Sequence, residues 1–300
     1  MARAGDGTAM ADRTLRLVCI DDGVPEETPR LLRAACQSRG VDFVPLDPRA
    51  FDFAQAAPLG AGDLLYRPAV SAIAQRAEQH LYAPEAASFY ADPAGPFFPY
   101  VNYALLFDRA GLPCPRTIPV LSADRAHLRQ QVAALGGLPV VVKLPGWSRG
   151  VGTMRADSFA TVFSLLDILL AQGQVPSLLA YVPDAVHWRV TVVGTRAVAM
   201  YRNVMEPDDF RTSASTDPRD VTADPPAAIA DLAVRAVAAQ RLEFGGVDIL
   251  EHASGRLYLL EANFPCYFAH AQTVANIDVA GAMLDHLIAK ARRAATPVPA

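Results

Sequence analysis

Cysteine is scarce in this chain of 300 residues, which contains four in all. Cys19, Cys36, Cys114 and Cys266 lie far apart, form no Cys-x-x-Cys pair and have no histidine at the spacing of a metal ligand. This scatter argues against a zinc site and against a disulfide framework. We therefore expect free thiols that pack in the interior.

An excess of one charge sign and long apolar runs are also missing. The formal net charge is −4, so no overall basic field favours nucleic acid or an acidic membrane as partner, although a local basic pocket stays open. No segment holds 18 uncharged apolar residues, and residues 1–13 lack the apolar stretch of a signal peptide. We expect a cytoplasmic protein in which residues 1–12 are disordered.

What the sequence does contain is an alternation of apolar strands and amphipathic helices. Strand patterns at 15–22, 41–47 and 62–69 alternate with helical patterns at 25–40 and 70–82. Strand, helix and strand in this order favour a right-handed parallel unit. We therefore expect a small α/β domain over residues 13–95, followed by a Pro- and Gly-rich connection at 91–101.

The rest of the chain changes from helices to strands. Helical patterns cover 101–111, 122–135, 158–172 and 226–243, the second with Ser122 as its N-cap. Antiparallel strands are predicted at 177–183, 187–194 and 196–204, with a hairpin turn at Gly194 and Thr195. The polar stretch 206–220 is predicted to be an irregular surface loop.

One strand in this part carries a lysine and leads into a glycine-rich loop. Residues 138–156 read "LPVVVKLPGWSRGVGTMRA", with Lys143 on the strand and glycines at 146, 150 and 152. Glycines let backbone N–H groups approach a phosphate, and the lysine adds a positive charge. The spacing fits neither a Walker A loop nor a dinucleotide-binding fingerprint, so a plain turn between strands remains the alternative.

Polar side chains occur in the last two predicted strands. "GGVDILEHASGRLYLLEAN" is most simply a hairpin, with Asp248 on its first strand and Glu261 and Asn263 on its second, anchored by Leu259 and Leu260. Residues two apart on a strand share a face, and three oxygen ligands suit Mg²⁺. The alternative, for either acid taken alone, is a position on a sheet face that is exposed to solvent.

Taken in order, these segments resemble the ATP-grasp superfamily, specifically its RimK-like carboxylate–amine ligases. The resemblance covers roughly residues 100–292 and rests on the motifs "VVVK" with its glycine loop, "YVPDAVHWRVTVVG", "FRTS", "GGVDIL" and "LLEANFP". It implies an α/β (α+β) ATP-grasp fold with a small N-terminal parallel α/β domain. The ATP-grasp domain would span 96–295, with a central subdomain at about 115–180 and a C-terminal subdomain at about 181–292.

The resemblance also implies roles for matching residues. Lys143 would bind ATP phosphate, the loop from Trp147 through Ser148, Gly150 and Gly152 would close over it, and Ala180, Tyr181 and Val182 would form the hinge beside adenine. Arg189 would contact the γ-phosphate or the acyl phosphate, and Arg211 would orient the carboxylate. Asp248, Glu261 and Asn263 would hold one or two Mg²⁺ ions, with Mn²⁺ as a substitute.

Several positions depart from the family pattern. Relatives often carry acids where this chain has Ala180 and His187, so Asp184 is the candidate for the ribose contact. The helix before "AGLP" lacks the second ATP-binding lysine of many relatives, and "FPCYFAHAQ" replaces their usual continuation after the metal-binding asparagine. "YRP" at 66–68 resembles a substrate-facing position of some relatives.

The resemblance implies an ATP- and Mg²⁺-dependent ligase. It would join a small-molecule or peptide carboxylate to an amine through an acyl phosphate and release ADP and phosphate. Alternatives are an ATP-grasp enzyme with a hydroxyl acceptor, either an ester-forming peptide macrocyclase or a small-molecule kinase, and a non-catalytic ATP-binding protein. The oligomeric state stays open, a homodimer being the commonest closed assembly.

Overall fold

The computed structural model describes residues 14–97, 102–144, 150–205 and 208–295. The helices are α1 (Glu27–Ser38), α2 (Ala72–Leu81), α3 (Tyr103–Arg109), α4 (Arg125–Ala134), α5 (Phe159–Ala171), α6 (Ala227–Ala239), α7 (Ala269–Ala275) and α8 (Val279–Ala295). The strands are β1 (Arg16–Ile20), β2 (Asp42–Leu46), β3 (Asp63–Tyr66), β4 (Thr117–Pro119), β5 (Val140–Lys143), β6 (Thr153–Ala156), β7 (Ser177–Ala180), β8 (Ala185–Val193), β9 (Arg196–Met205), β10 (Thr212–Ala214), β11 (Val221–Thr222), β12 (Phe244–His252) and β13 (Leu257–Asn263). Within these ranges no helix combines the length and apolarity needed to cross a bilayer.

The first three strands form a parallel sheet in the order β2-β1-β3, which confirms the predicted strand–helix–strand unit. All four residues of β3 are buried, as expected for a strand covered on both faces. Helix α2 begins after Ser71, whose hydroxyl accepts a hydrogen bond from the backbone N–H of Ala74. The core beneath this sheet is shared with α8, where Met283 and Leu284 pack with Leu17.

The next sheet is antiparallel, in the order β4-β7-β5-β6, and carries Lys143 at the end of β5. Val140 and Val142 are buried in a core formed with α4 and α5. The prediction that Ser122 caps α4 was wrong. Asp124 is the N-cap, and its Oδ1 accepts from the backbone N–H of His127 at 2.7 Å, because it directly precedes the first helical residue.

The last sheet has the order β10-β9-β8-β12-β13, and β11 also pairs with β9. The hairpin predicted at Gly194 and Thr195 joins β8 to β9, and Gly194 has a φ of 60°. The prediction of an irregular loop over 206–220 was wrong in part. That stretch contains β10 and a 3₁₀ turn at Pro218–Asp220, because Thr212–Ala214 pair with the end of β9.

Candidate active site

The six-stranded sheet has one apolar and one polar face. Val247 and Ile249 of β12 are buried in the core against α6. Asp248 lies between them in sequence, so its side chain points to the opposite face, because side chains alternate along a strand. We call this opposite face the polar face, and its residues on four adjacent strands include His187, Arg189, Asn203, Gly246, Asp248, Glu261 and Asn263.

A β-bulge sets which side chains of β13 reach the polar face. Asp248 pairs with Glu261 and Gly246 with Asn263, but the next pair is Ile249 with Leu259, so Leu260 has no partner in the register. The bulge lets Leu259 and Ala262 both enter the apolar core while Glu261 and Asn263 face the other way. The prediction that Leu260 helps to anchor the strand was wrong, since Ala262 takes that place.

Asp248 is held by two side chains of β8. Its Oδ2 lies 3.3 Å from Nη1 of Arg189, and its Oδ1 lies 3.1 Å from Nε2 of His187. The residue is only 6% exposed. Burial alone would raise the pKa of the Asp248 carboxyl, but the charges of Arg189, His187 and Lys143 outweigh it and hold the pKa below its usual value. Asp248 is therefore an ionised, buried acceptor.

Glu261 connects the two antiparallel sheets. Its Oε2 accepts from Nζ of Lys143 at 2.7 Å, and its Oε1 accepts from Nδ2 of Asn263 at 2.9 Å. The side chains of Lys143 and Glu261 are 33% and 29% exposed, so this pair stands at an open cleft. The structure thus brings the lysine of β5 to the predicted metal ligands of the other sheet.

The donor set of this cleft suits a hard cation. Two carboxylates and a side-chain amide converge, and oxygen ligands of this kind match Mg²⁺, which is usually shared with substrate phosphates. Over the described ranges, no cluster of three or more His, Cys, Asp or Glu side chains offers another metal site. The ionised state of Asp248 and the nearby lysine are both compatible with a cation bridged to phosphate.

Gly246 provides the space in which Arg189 lies. A Cβ at this position would stand 2.9 Å from Cβ of Cys266 and 3.0 Å from Nη1 of Arg189. The same Nη1 donates to the carbonyl of Gly246 at 2.9 Å. Burial raises the pKa of the Cys266 thiol to about 12, with Arg189 opposing the shift, so the thiol is protonated at neutral pH.

His187 also belongs to this cluster, although no site role was predicted for it. Its Nδ1 lies 2.5 Å from Oγ1 of Thr212, and Asn203 Nδ2 lies 3.3 Å from its Nε2. Its position two residues before Arg189 was the available signal, because residues two apart share a face. The contact with Thr212 needed the arrangement of β9 and β10, which the sequence did not indicate.

Arg211 pairs with an acid outside the carboxylate cluster. Its guanidinium pairs with Asp209 at 2.5 Å and is 46% exposed. Its side chain also borders the glycine-rich loop, because a Cβ at Gly150 would meet Cδ of Arg211 at 3.0 Å. Gly150 and Gly152 have φ values of 72° and 76°, a backbone conformation that favours glycine. Trp147 and Ser148 lie outside the described residues.

The predicted hinge lies between the two antiparallel sheets. Ala180 ends β7 and donates its N–H to the carbonyl of Arg116 at 2.9 Å. Tyr181 and Val182 follow and are partly exposed, and the ring of Tyr181 lies 4.6 Å from the guanidinium carbon of Arg155. Asp184 is exposed, with a φ of 46°, and its carbonyl accepts from the N–H of Ala253 at 3.2 Å.

The "YRP" segment does not present its arginine to a cleft. The side chain of Arg67 is 7% exposed and donates from Nε to Glu78 Oε2 at 2.6 Å. Arg67 thus joins the end of β3 to α2. The resemblance implied a substrate-facing position at 66–68, and in the structure the guanidinium of Arg67 binds the buried carboxylate of Glu78 instead.

Two antiparallel sheets that meet at the contact of Lys143 with Glu261, together with the small parallel sheet, make up the fold. The solved structure of the ATP-grasp ligase PsnB complexed with minimal precursor has this fold, with a TM-score of 0.69 at 19% identity. That likeness covers 92% of this chain and 99% of that chain.

Residues 102–287, more than half of the chain, match the model of the RimK-like ATP-grasp domain. The chain belongs to this family. It is 33% identical over 167 residues to a probable alpha-L-glutamate ligase of Xanthomonas oryzae pv. oryzae (strain MAFF 311018), covering 55% of this chain and 56% of that protein. It is 27% identical over 203 residues to the ribosomal protein bS6–L-glutamate ligase of Salmonella paratyphi B, covering 64% and 62%. The chain thus spans less than two thirds of these relatives.

Proposed function

We propose that this protein is an ATP- and Mg²⁺-dependent ligase that joins a carboxylate to an amine and releases ADP and phosphate. The observation that carries the proposal is the contact of Lys143 with Glu261, beside Asp248 and Asn263. A cation and three oxygen ligands are thereby gathered at one cleft, which is what a metal-bound triphosphate requires.

Each part of the cleft has a proposed task. Lys143 binds phosphate, and residues 147–152 cover it. Mg²⁺ is held by Asp248, Glu261 and Asn263. Adenine contacts Ala180, Tyr181 and Val182, and ribose contacts Asp184. Arg189 neutralises the transferred phosphoryl group, and Arg211 orients the substrate carboxylate. Bound Mg²⁺ would supply charge neutralisation for the phosphates. We further propose residues 13–95 and 96–295 as the two domains.

The reaction proceeds by two displacements. A carboxylate oxygen of the substrate attacks the γ-phosphorus, the bond to ADP breaks, and an acyl phosphate forms. The amine then attacks the acyl carbon, loses a proton, and phosphate leaves. Positioning and charge supply most of the acceleration in phosphoryl transfer, so Lys143 and Arg189 act by electrostatics and need no covalent bond to the substrate.

The names of the relatives support a proposal for the substrates. The two curated relatives are named for glutamate ligation, and one of them acts on a ribosomal protein. We therefore propose an amino acid, with glutamate as the first candidate, and a protein or peptide as the two substrates.

Mass spectrometry of reactions with ATP, Mg²⁺ and a panel of amino acids and peptides tests this function. We expect a product formed with loss of one water and an equal amount of ADP. Formation of AMP would contradict the acyl-phosphate route. A product whose new bond hydrolyses as an ester would assign a hydroxyl acceptor instead of an amine.

The nucleotide site can be tested separately, because Lys143 and Lys290 are the only two lysines of the sequence. We expect Mg·ATP to protect Lys143 from an amine-acylating reagent. Lys290 serves as the internal control, since its Nζ donates to the carbonyls of Ser88 and Tyr90 at 2.9 and 2.6 Å. Equal labelling of Lys143 with and without Mg·ATP would contradict its role.

A further inference from the structure

His187 touches both a proposed metal ligand and a strand at the sheet edge. Its ring reaches Asp248 on β12 through Nε2 at 3.1 Å and Thr212 on β10 through Nδ1 at 2.5 Å. The side chains of His187 and Asp248 are 15% and 8% exposed. Water therefore competes weakly for these hydrogen bonds, so each contact has more effect than a surface contact would.

Both contacts fit the chemistry of the partners. An ionised carboxylate only accepts, so Nε2 of His187 donates to Asp248. A hydroxyl can donate or accept, so Thr212 forms a hydrogen bond with Nδ1 whether or not that nitrogen carries a hydrogen. One ring thus makes both contacts and orients the Asp248 carboxylate.

Thr212 is directly joined to a second element of the site. It is the first residue of the short strand β10 and follows Arg211, whose side chain borders Gly150 of the glycine-rich loop. β10 has only three residues, paired with the end of β9. A side-chain contact to Thr212 therefore adds to the backbone pairing that places Arg211 beside Gly150.

We propose that His187 is a positioning residue that couples the metal ligand Asp248 to the β10 segment carrying Arg211. The inference rests on the proposed function, in which Asp248 holds Mg²⁺ and Arg211 orients the substrate carboxylate. The contact acts through Asp248, and it therefore affects metal-dependent binding more than nucleotide binding as such.

Thr212→Val tests the coupling without altering His187 or Asp248, because valine keeps the branched shape and lacks the hydroxyl. Binding of the ATP analogue AMPPNP is measured by calorimetry at a series of Mg²⁺ concentrations. We expect the Mg²⁺ concentration for half-maximal enhancement to rise about fivefold, as for the loss of one hydrogen bond. AMPPNP affinity without Mg²⁺ stays the same, and Thr212→Ser restores the wild-type requirement.

Two further variants separate coupling from a general structural effect. Thr222→Val makes the same substitution on β11, another strand paired with β9, and is expected to match the wild type. His187→Gln combined with Thr212→Val is expected to have the same Mg²⁺ requirement as His187→Gln alone, because both changes break the same contact between His187 and Thr212.

The arms of the experiment separate the two proposals. A wild-type protein that binds no AMPPNP with Mg²⁺ would overturn the proposed function. With wild-type binding intact, the coupling is overturned if Thr212→Val keeps the wild-type Mg²⁺ requirement, or if it weakens AMPPNP binding equally with and without Mg²⁺. Faster amide hydrogen exchange of residues 208–214 in Thr212→Val than in Thr212→Ser provides a second supporting measurement.

Discussion

The two faces of the six-stranded sheet are built from the same strands and follow different rules. On the face against α6, Val247, Ile249 and Leu259 contribute shape and volume to a shared core.

 On the polar face, Asp248 and Glu261 each have named partners at hydrogen-bond distance. The apolar face therefore tolerates changes that conserve volume, whereas the polar face depends on the position of single atoms.

The largest effect is expected from breaking the polar face at its buried carboxylate. Asp248→Asn keeps the shape and removes the charge that faces Arg189 and the proposed Mg²⁺. We expect ADP formation to fall by roughly a thousandfold, since a metal contributes several kcal/mol of charge stabilisation in the transition state. Stability also falls, because Arg189 loses its buried partner. Glu261→Gln, at the open cleft, is the matched variant that should lose activity with little loss of stability.

Steady-state ADP release and denaturant unfolding measure the two effects on the same samples. Activity of Asp248→Asn within tenfold of the wild type would contradict its place in the metal site. A Glu261→Gln variant that unfolds as easily as Asp248→Asn would contradict the difference in burial.

The apolar face should show the reverse pattern. Leu259→Ala leaves a cavity in the core against α6, where Leu259 is 1% exposed. We expect the free energy of unfolding to fall by about 2–5 kcal/mol, as for other buried leucines. Metal-dependent AMPPNP affinity of the folded fraction should stay near the wild-type value, which calorimetry measures. Leu260→Ala, at the bulge, is the control with a smaller loss of stability.

A smaller effect is expected at Gly246, where the polar face is closely packed. Gly246→Ala places a methyl group against Cys266 and Arg189, at 2.9 and 3.0 Å. Overpacking of this kind costs about 1–3 kcal/mol and should displace Arg189 from Asp248. The free energy of unfolding and the rate of ADP release should therefore both fall. Combining the change with Cys266→Gly should recover part of each loss. No recovery in the double variant would show that Cys266 is not the obstacle.

Much of this comparison could be predicted from the sequence. The spacing of Glu261 and Asn263 placed both side chains on one face, and the hairpin at residues 253–255 brought Asp248 beside them. The alternation of apolar residues along β12 predicted that Asp248 faces the side of the sheet opposite to Val247 and Ile249. These signals are local, so a single chain segment contains them.

The features that could not be predicted depend on contacts between distant segments. The bulge at Leu260 arises because Leu259 and Ala262 both fill the core against α6, and no residue type marks it. The contact between His187 and Thr212 needs β9 between them, and the burial of Arg67 needs Glu78 on α2. The position of Arg211 against Gly150 likewise depends on two separate loops.

The last prediction separates the two faces by their dependence on pH. Because the folded-state pKa of Asp248 is lowered, its contribution to stability is present above the unfolded pKa of about 3.9 and is lost as pH falls through the lower folded value. The difference in unfolding free energy between the wild type and Asp248→Asn should therefore be constant near neutral pH and shrink below about pH 4. The difference between the wild type and Leu259→Ala should stay the same over that range, because no proton is bound or released at the cavity. Denaturant unfolding of the three proteins from pH 7 to pH 3 measures both differences, and parallel curves for the two variants would contradict the role of the Asp248 charge.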